Sequence, residues 1–207
     1  MGFYADWVLP GLLDKACANP QIMALRRQVV PQASGRVLEV GMGSAINVAL
    51  YDPEKVVSVW GLEPSAGMRR RAEKNLAKAQ VPVDWLDLPG EAIPLEDNSV
   101  DTLLLTFTLC TIPDWQRALA QMHRVLKPGA RLLFCEHGRA PDPKVARWQR
   151  RINPLWRRVA GGCNLNRPIV ECLESEGFVL GEHSSRYVEE LPRIAGYISM
   201  GEARADK

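Results

Sequence analysis

Between residues 36 and 137 short apolar runs alternate with stretches of helical period, and this alternation leaves the chain very few architectures. The runs are RVLEV (36–40), VVSVWGLE (56–63), PVDWL (82–86), DTLLLTF (101–107) and ARLLFCEH (130–137). Several are apolar throughout, as strands are when both faces of a parallel sheet are covered. Three helical candidates lie between them. One is short (45–51), one (65–80) opens on a Ser65 N-cap, and one (114–129) opens on Asp114 and stops at Pro128-Gly129. Strand, helix, strand at this spacing predicts right-handed crossovers and a doubly wound α/β sheet. The last part differs. After a helix at about 167–176, FVLGEHSSRYVEE and IAGYISMGEARA meet at a Pro192 turn with no helix between them, so they should pair antiparallel.

A chain of 207 residues is long enough for one domain with a full core, and nothing in it marks a second. Its net charge of +2 and 46% apolar composition describe a globular protein, neither disordered nor directed at nucleic acid by charge alone. The five cysteines are scattered and lack a C-x-x-C pair, so the spacing offers no disulfide framework and no metal site. A cytoplasmic location is expected. The N-terminus places Asp6 and Asp14 around a short apolar run and shows no targeting signal or membrane-length span.

The turn that closes the first strand, VLEVGMGSAIN (37–47), marks the ligand end of such a sheet. Gly41 and Gly43 let backbone approach a ligand closely, and the residues after them offer unpaired N–H groups. Glu63 ends the second strand 22 positions after Gly41, where an acid can accept hydrogen bonds from both hydroxyls of a ribose. The pattern therefore calls for an adenosine-type ligand. A dinucleotide is disfavoured, because the third glycine of G-x-G-x-x-G is replaced by Ile46. An NAD-dependent dehydrogenase is the weakest of the readings.

From about Arg36 onward the chain resembles the class I S-adenosylmethionine-dependent methyltransferases. The resemblance rests on VLEVGMGSA, GLEPSAGM, GEAIPLEDNSVD and RVLKPGARLLF, in that order. It implies a mostly parallel seven-stranded sheet in the order 3-2-1-4-5-7-6 with an antiparallel C-terminal hairpin. One domain would span 1–207: a helical cap (1–33), a cofactor half (34–137), then a lid helix and the hairpin (138–207). S-adenosyl-L-methionine is the implied cofactor. Glu39 and Gly41 would lie near its methionine amino end, Gly43 and Ser44 at the turn, and Glu63 on the ribose. Pro64 and Met68 would border the adenine, Glu91 and Ala92 its exocyclic edge, and Thr106 the methionine portion. Ala45 departs from the glycine most members carry there; a residue already helical would tolerate the methyl.

A narrower resemblance, to the methyltransferase-like alkyl thiol methyltransferases, is carried by FTLCTIPD, FCEHGRAPD and GGCNLNRP. Those members begin with a hydrophobic membrane anchor that this sequence does not show. The implied acceptor is a small molecule, preferably a thiol, which needs little base assistance because its pKa is about 8.5. His137, at a strand's carboxyl end, is the catalytic candidate. Tyr4, Cys110, Trp148 and Cys163 join it as substrate-pocket candidates, while packing is the simpler role for Cys163. Residues 144–158 interleave Lys144, Arg147, Arg150, Arg151, Arg157 and Arg158 with Trp148, Ile152 and Leu155, which with Val159 fall on one side. This reads as an amphipathic lid over the crevice, with peripheral contact to an anionic membrane as a second use. Nucleic acid is not an expected partner, since TFTLC stands where amino methyltransferases of nucleic acids carry an Asn/Asp-Pro-Pro-aromatic turn. Phospholipid N-methylation, quinol C- or O-methylation, and a non-catalytic cofactor-binding protein are the alternatives.

Overall fold

Val37, Leu38 and Val40 alternate across the first strand and are all buried, so β1 (Gly35–Val40) needs cover on both faces. The structure, a computed structural model, describes residues 4–207, apart from the side chains of Ala5 and Asp6. β2 (Val56–Leu62) and β4 (Val100–Thr106) flank β1 in parallel, β3 (Val83–Leu86) extends the sheet beyond β2, and β5 (Leu126–His137) follows β4. β7 (Tyr197–Ala205) pairs antiparallel with β5, and β6 (Phe178–Tyr187) antiparallel with β7. The order is therefore 3-2-1-4-5-7-6. Strand order reverses between β1 and β4, and the crevice at their carboxyl ends is where such sheets bind ligands.

Side-chain alternation splits the core in two. On one face Leu38, Leu103, Leu105 and Phe134 pack with α4 (Trp115–Val125) and α6 (Ile169–Ser175) through Leu119, Met122 and Leu173. On the other, Val37, Val59, Leu104 and Leu133 pack with α2 (Pro20–Val29) through Leu25 and Val29. α1 (Leu9–Cys17), α3 (Ala66–Leu76) and α5 (Pro143–Val159) complete the α-helices among the described residues.

Three element boundaries differ from expectation. Residues 45–51 form no α-helix. They turn into a single 3-10 turn at Val48–Leu50, because Ala45 adopts a left-handed φ of 57°. The stretch after Ser65 stops at Leu76, short of residue 80. The helix from Asp114 ends at Val125, because Leu126, fully buried, already pairs with Val100. Pro128-Gly129 consequently lies inside the start of β5, with Gly129 at φ 73°. Both N-caps form: the Ser65 side chain accepts from Met68 N–H and the Asp114 side chain from Arg117 N–H at 3.1 Å. Asp114→Ala should lower stability by about 1 kcal/mol. An unchanged urea midpoint would contradict a working cap.

Candidate active site

The glycine turn, the acid that ends β2 and the loop after β4 all line one cleft of about 600 Å³. Gly41 and Gly43 have φ of 71° and 60°, in the left-handed region. A Cβ on Gly41 would sit 2.2 Å from the Thr108 methyl, so the turn reaches the β4 loop only with glycine there. Ala45 takes the same backbone region at 0% exposure. Its methyl is accommodated by core packing in the cluster of Val37, Val48 and Tyr51, and not by the helical conformation the sequence suggested. Glu63 holds the turn to the start of α3. One carboxylate oxygen accepts from Gly43 N–H at 3.0 Å and the other from Ser65 N–H at 2.8 Å. Burial raises its pKa, and the two backbone donors oppose that rise.

Beneath the turn runs a buried polar chain. Glu39 accepts from Tyr51 Oη–H at 2.6 Å and from Asn47 Nδ2–H at 2.7 Å. Arg26, from α2, donates Nη1–H to Asn47 Oδ1 at 2.9 Å and to Thr106 Oγ1 at 2.6 Å. Arg26 is 4% exposed and lines the cleft, and its Nε–H has no hydrogen-bond partner. Among the described lining residues it is the sole arginine or lysine, in a cleft that Glu63 and Glu91 also line. Its guanidinium lies 5.2 Å from the Phe107 ring centroid. Phe107 has a φ of 57°, an uncommon state for a bulky residue, which turns the chain sharply into the loop that carries Thr108 and Cys110.

Cys110, His137 and Cys163 line the same cleft. His137 Nε2 is 3.2 Å from Cys163 Sγ, and the His137 ring stacks on Phe107 with centroids 6.4 Å apart. A hydrogen bond from the Cys110 thiol, with His137 beside it, holds the Cys163 thiol well below its usual pKa against the effect of burial. The same bond and burial push Cys110 up. Burial opposes protonation of His137, but the contact with Cys163 outweighs it and raises the imidazole pKa. Glu136 accepts from Thr108 N–H at 2.6 Å and Leu109 N–H at 3.0 Å, which anchors the loop that bears Cys110.

Of the residues picked out in the sequence, Gly41, Gly43, Ser44, Glu63, Pro64, Met68, Glu91, Thr106, Cys110, His137 and Cys163 line this one cleft. Four do not. Glu39 points into the buried chain beneath the turn. Ala92 is exposed in the turn closed by its N–H to Pro89 O at 3.0 Å, while Glu91 next to it faces the cleft. Tyr4 is exposed and donates its hydroxyl to Val159 O at 2.7 Å, tying the N-terminal segment to the end of α5. Trp148 is 55% exposed, and Trp156, two turns on, lines the cleft instead.

The cause of that last difference is a rotation of α5. Its inward face is set by two polar residues. Gln149 accepts from Ala140 N–H and donates to Gly138 O and Ile194 O, each at 3.0 Å; Asn153 accepts from Leu165 N–H at 2.8 Å. Buried amides with full backbone partners are stable in a core. Trp148, Leu155 and Val159 are left on the outside with the arginines. Arg26 was the functional residue most easily overlooked. The signal was present, since Ile22, Leu25, Arg26 and Val29 recur at helical spacing and place the arginine on the apolar side.

Comparison with known proteins agrees with this geometry. Residues 38–134 match the family described as Methyltransferase domain. The human thiol S-methyltransferase TMT1B is 32% identical over 84% of this chain and 75% of its own length. The ubiquinone/menaquinone biosynthesis C-methyltransferase UbiE of Syntrophotalea carbinolica is 30% identical over 60% of this chain, which spans about half of that relative. Among solved structures, a SAM-dependent methyltransferase from Thermotoga maritima shares the fold with a TM-score of 0.67 at 20% identity, covering 99% of this chain and 98% of that one. With its sheet order, its glycine turn and strand-end acid, and these relatives, the chain belongs to the S-adenosylmethionine-dependent methyltransferases.

Proposed function

We propose that the protein transfers the methyl group of S-adenosylmethionine to a small thiol, with the acceptor sulfur held against Cys110, His137 and Cys163. The carrying observation is the composition of that part of the lining: two sulfurs and one imidazole at 3.2 Å from Cys163, within walls that are otherwise mostly apolar. The cofactor fits the part of the cleft lined by the glycine turn and Glu63. Its ribose hydroxyls match the lone pairs Glu63 has left, and its α-carboxylate matches the positive charge of Arg26 in the cleft wall. Pro64 and Met68 offer apolar contact to the adenine, Glu91 an acceptor for its amino group, and Ser44 and Thr106 border the methionine. Glu39 and Ala92 act behind this wall and not in it.

The chemistry is an in-line displacement, so these residues contribute orientation and exclusion of water. The cofactor supplies an electrophilic methyl on a sulfonium. A thiol S-methyltransferase among the relatives supports the thiol as acceptor class.

A second reading rests on the outer face. Trp7, Leu12, Trp148, Leu155 and Val159 are exposed on α5 and the N-terminal helices, among Arg147, Arg150, Arg151 and Arg158. Apolar side chains with arginines suit peripheral contact with an anionic bilayer, from which a lipid-soluble thiol or a quinol would enter. No described helix is long and apolar enough to cross a membrane. The test is S-adenosylhomocysteine formation with alkyl and aryl thiols, sulfide, phosphatidylethanolamine vesicles and a quinol. Turnover confined to thiols is expected. Product from quinol or lipid alone would replace the thiol reading by the second one.

A further inference from the structure

The spacing of the cysteines along the chain gave no metal site, yet the fold gathers two of them with a histidine. The donor atoms of Cys110, His137 and Cys163 all lie within 4.8 Å of one another, and they come from three separate elements: the loop after β4, the last residue of β5 and the turn after α5. All three residues line the cleft.

We propose that Cys110, His137 and Cys163 bind a zinc ion whose fourth coordination position opens into the cleft and takes the sulfur of the acceptor thiol. The proposal rests on the thiol reading given above and deepens it.

Three features carry it. The first is the donor set. Two thiolates and an imidazole are soft to borderline ligands that suit zinc, and three protein ligands with one open position are the arrangement of catalytic zinc, whereas structural sites close with four. The second is distance. Tetrahedral zinc with bonds of about 2.3 Å to sulfur and 2.0–2.1 Å to nitrogen holds its ligand atoms about 3.5–3.8 Å apart. The observed separations, 3.2 Å for His137 Nε2 to Cys163 Sγ and below 4.8 Å for the rest, reach that geometry by side-chain adjustments within the existing backbone.

The third is pre-organisation. Asn164 donates both its backbone N–H and its Nδ2–H to Cys110 O, each at 2.9 Å, and so clamps the Cys163 turn to the Cys110 loop. Arg167 donates to Leu109 O and, at 2.7 Å, to Ile112 O on either side of Cys110. Gly161 and Gly162, at φ 62° and 87°, form the left-handed turn that brings Cys163 back over the cleft. A loop fixed this firmly around two sulfurs is a prepared ligand frame.

Charge and atoms balance. Two protein thiolates neutralise the zinc; the incoming thiol loses its proton to solvent and binds as thiolate, giving the centre one negative charge opposite the positive sulfonium. A lone pair of that sulfur then forms the new S–C bond to the methyl. The C–S bond of the cofactor breaks with its electron pair kept on the cofactor sulfur, leaving S-adenosylhomocysteine and a thioether. The thioether is neutral, a poorer ligand, and leaves.

The test starts with the full chain purified under reductant, dialysed against zinc and assayed for bound metal, then loaded with Co²⁺ for absorption spectra. One zinc per chain is expected, with thiolate-to-cobalt charge-transfer bands and the visible bands of a tetrahedral ion that shift on addition of hexanethiol. Cys110→Ser, Cys163→Ser and His137→Gln should each weaken zinc binding by more than about 100-fold, the upper end of what loss of an outer-shell partner costs. The wild-type measurements stand without the variants, should one of these fail to fold. Absence of stoichiometric zinc, cobalt bound without sulfur charge transfer, or a Cys110–Cys163 disulfide in the reduced preparation would overturn the site. Zinc-free enzyme that methylates hexanethiol at the full rate would overturn it too while leaving the thiol reading in place. A zinc centre whose cobalt spectrum ignores thiols, in an enzyme that makes no thioether, would overturn the thiol reading itself.

Discussion

Arg26→Met is expected to lower the stability of the free protein by about 3 kcal/mol and to weaken S-adenosylmethionine binding at least tenfold. Both effects follow from one buried guanidinium. It is the cation nearest the carboxylate of Glu39, which it reaches through Asn47, and it donates to Thr106 as well. Removing one partner from a buried charged network leaves the other uncompensated, typically at about 3–5 kcal/mol. Burial already raises the Glu39 pKa, so part of the loss is relieved by proton uptake, and the lower end of that range applies. The binding effect comes from the guanidinium as the sole arginine or lysine among the described residues that line the cleft. Charge-assisted hydrogen bonds are worth about 1.5–3 kcal/mol, which is tenfold or more in affinity. Urea unfolding and calorimetric titration of the folded variant separate the two. Unchanged affinity would remove the carboxylate from Arg26 even if stability fell.

Glu63→Ala should weaken the cofactor by about 100-fold or more, since two ribose hydroxyls would lose a charged acceptor. The loss would also free the turn, because the same carboxylate accepts from Gly43 and Ser65. Glu63→Gln keeps an acceptor and should lose less. The pH dependence distinguishes these causes. Burial, the largest influence on Glu63, raises its pKa above the ordinary carboxylate value. In the free protein the group therefore takes up its proton at a higher pH than an exposed glutamate. Binding needs the ionised form, so affinity falls as pH drops through that raised pKa. In Glu63→Gln the fall should vanish. Equal affinity in wild type and Glu63→Ala would place the ribose elsewhere.

The strands were legible because a parallel sheet buries both faces and leaves runs such as LLL at 103–105 with no polar interruption. The glycine turn and Glu63 were legible because their backbone and charge requirements leave a fixed spacing. The lid helix was misread for a definite reason. A stripe of Trp148, Leu155 and Val159 suggested an inward face, but Gln149 and Asn153 satisfy backbone groups that no apolar residue can, and they set the rotation. The meeting of Cys110, His137 and Cys163 left no trace in spacing, since three distant elements converge only once the sheet has formed.

The position of β7 between β5 and β6 has a consequence for how the chain is made. Translation delivers β5 more than fifty residues before its neighbour, whose last paired residue is Ala205. Until then the free edge of β5, carrying Leu132, Leu133 and Phe134, is an open template for pairing with another nascent chain. A ribosome that stalls before the codons of β7 would release a molecule with its cofactor half built and a sticky border, so yield in cells should depend on the β6–β7 hairpin far more than its distance from the glycine turn suggests.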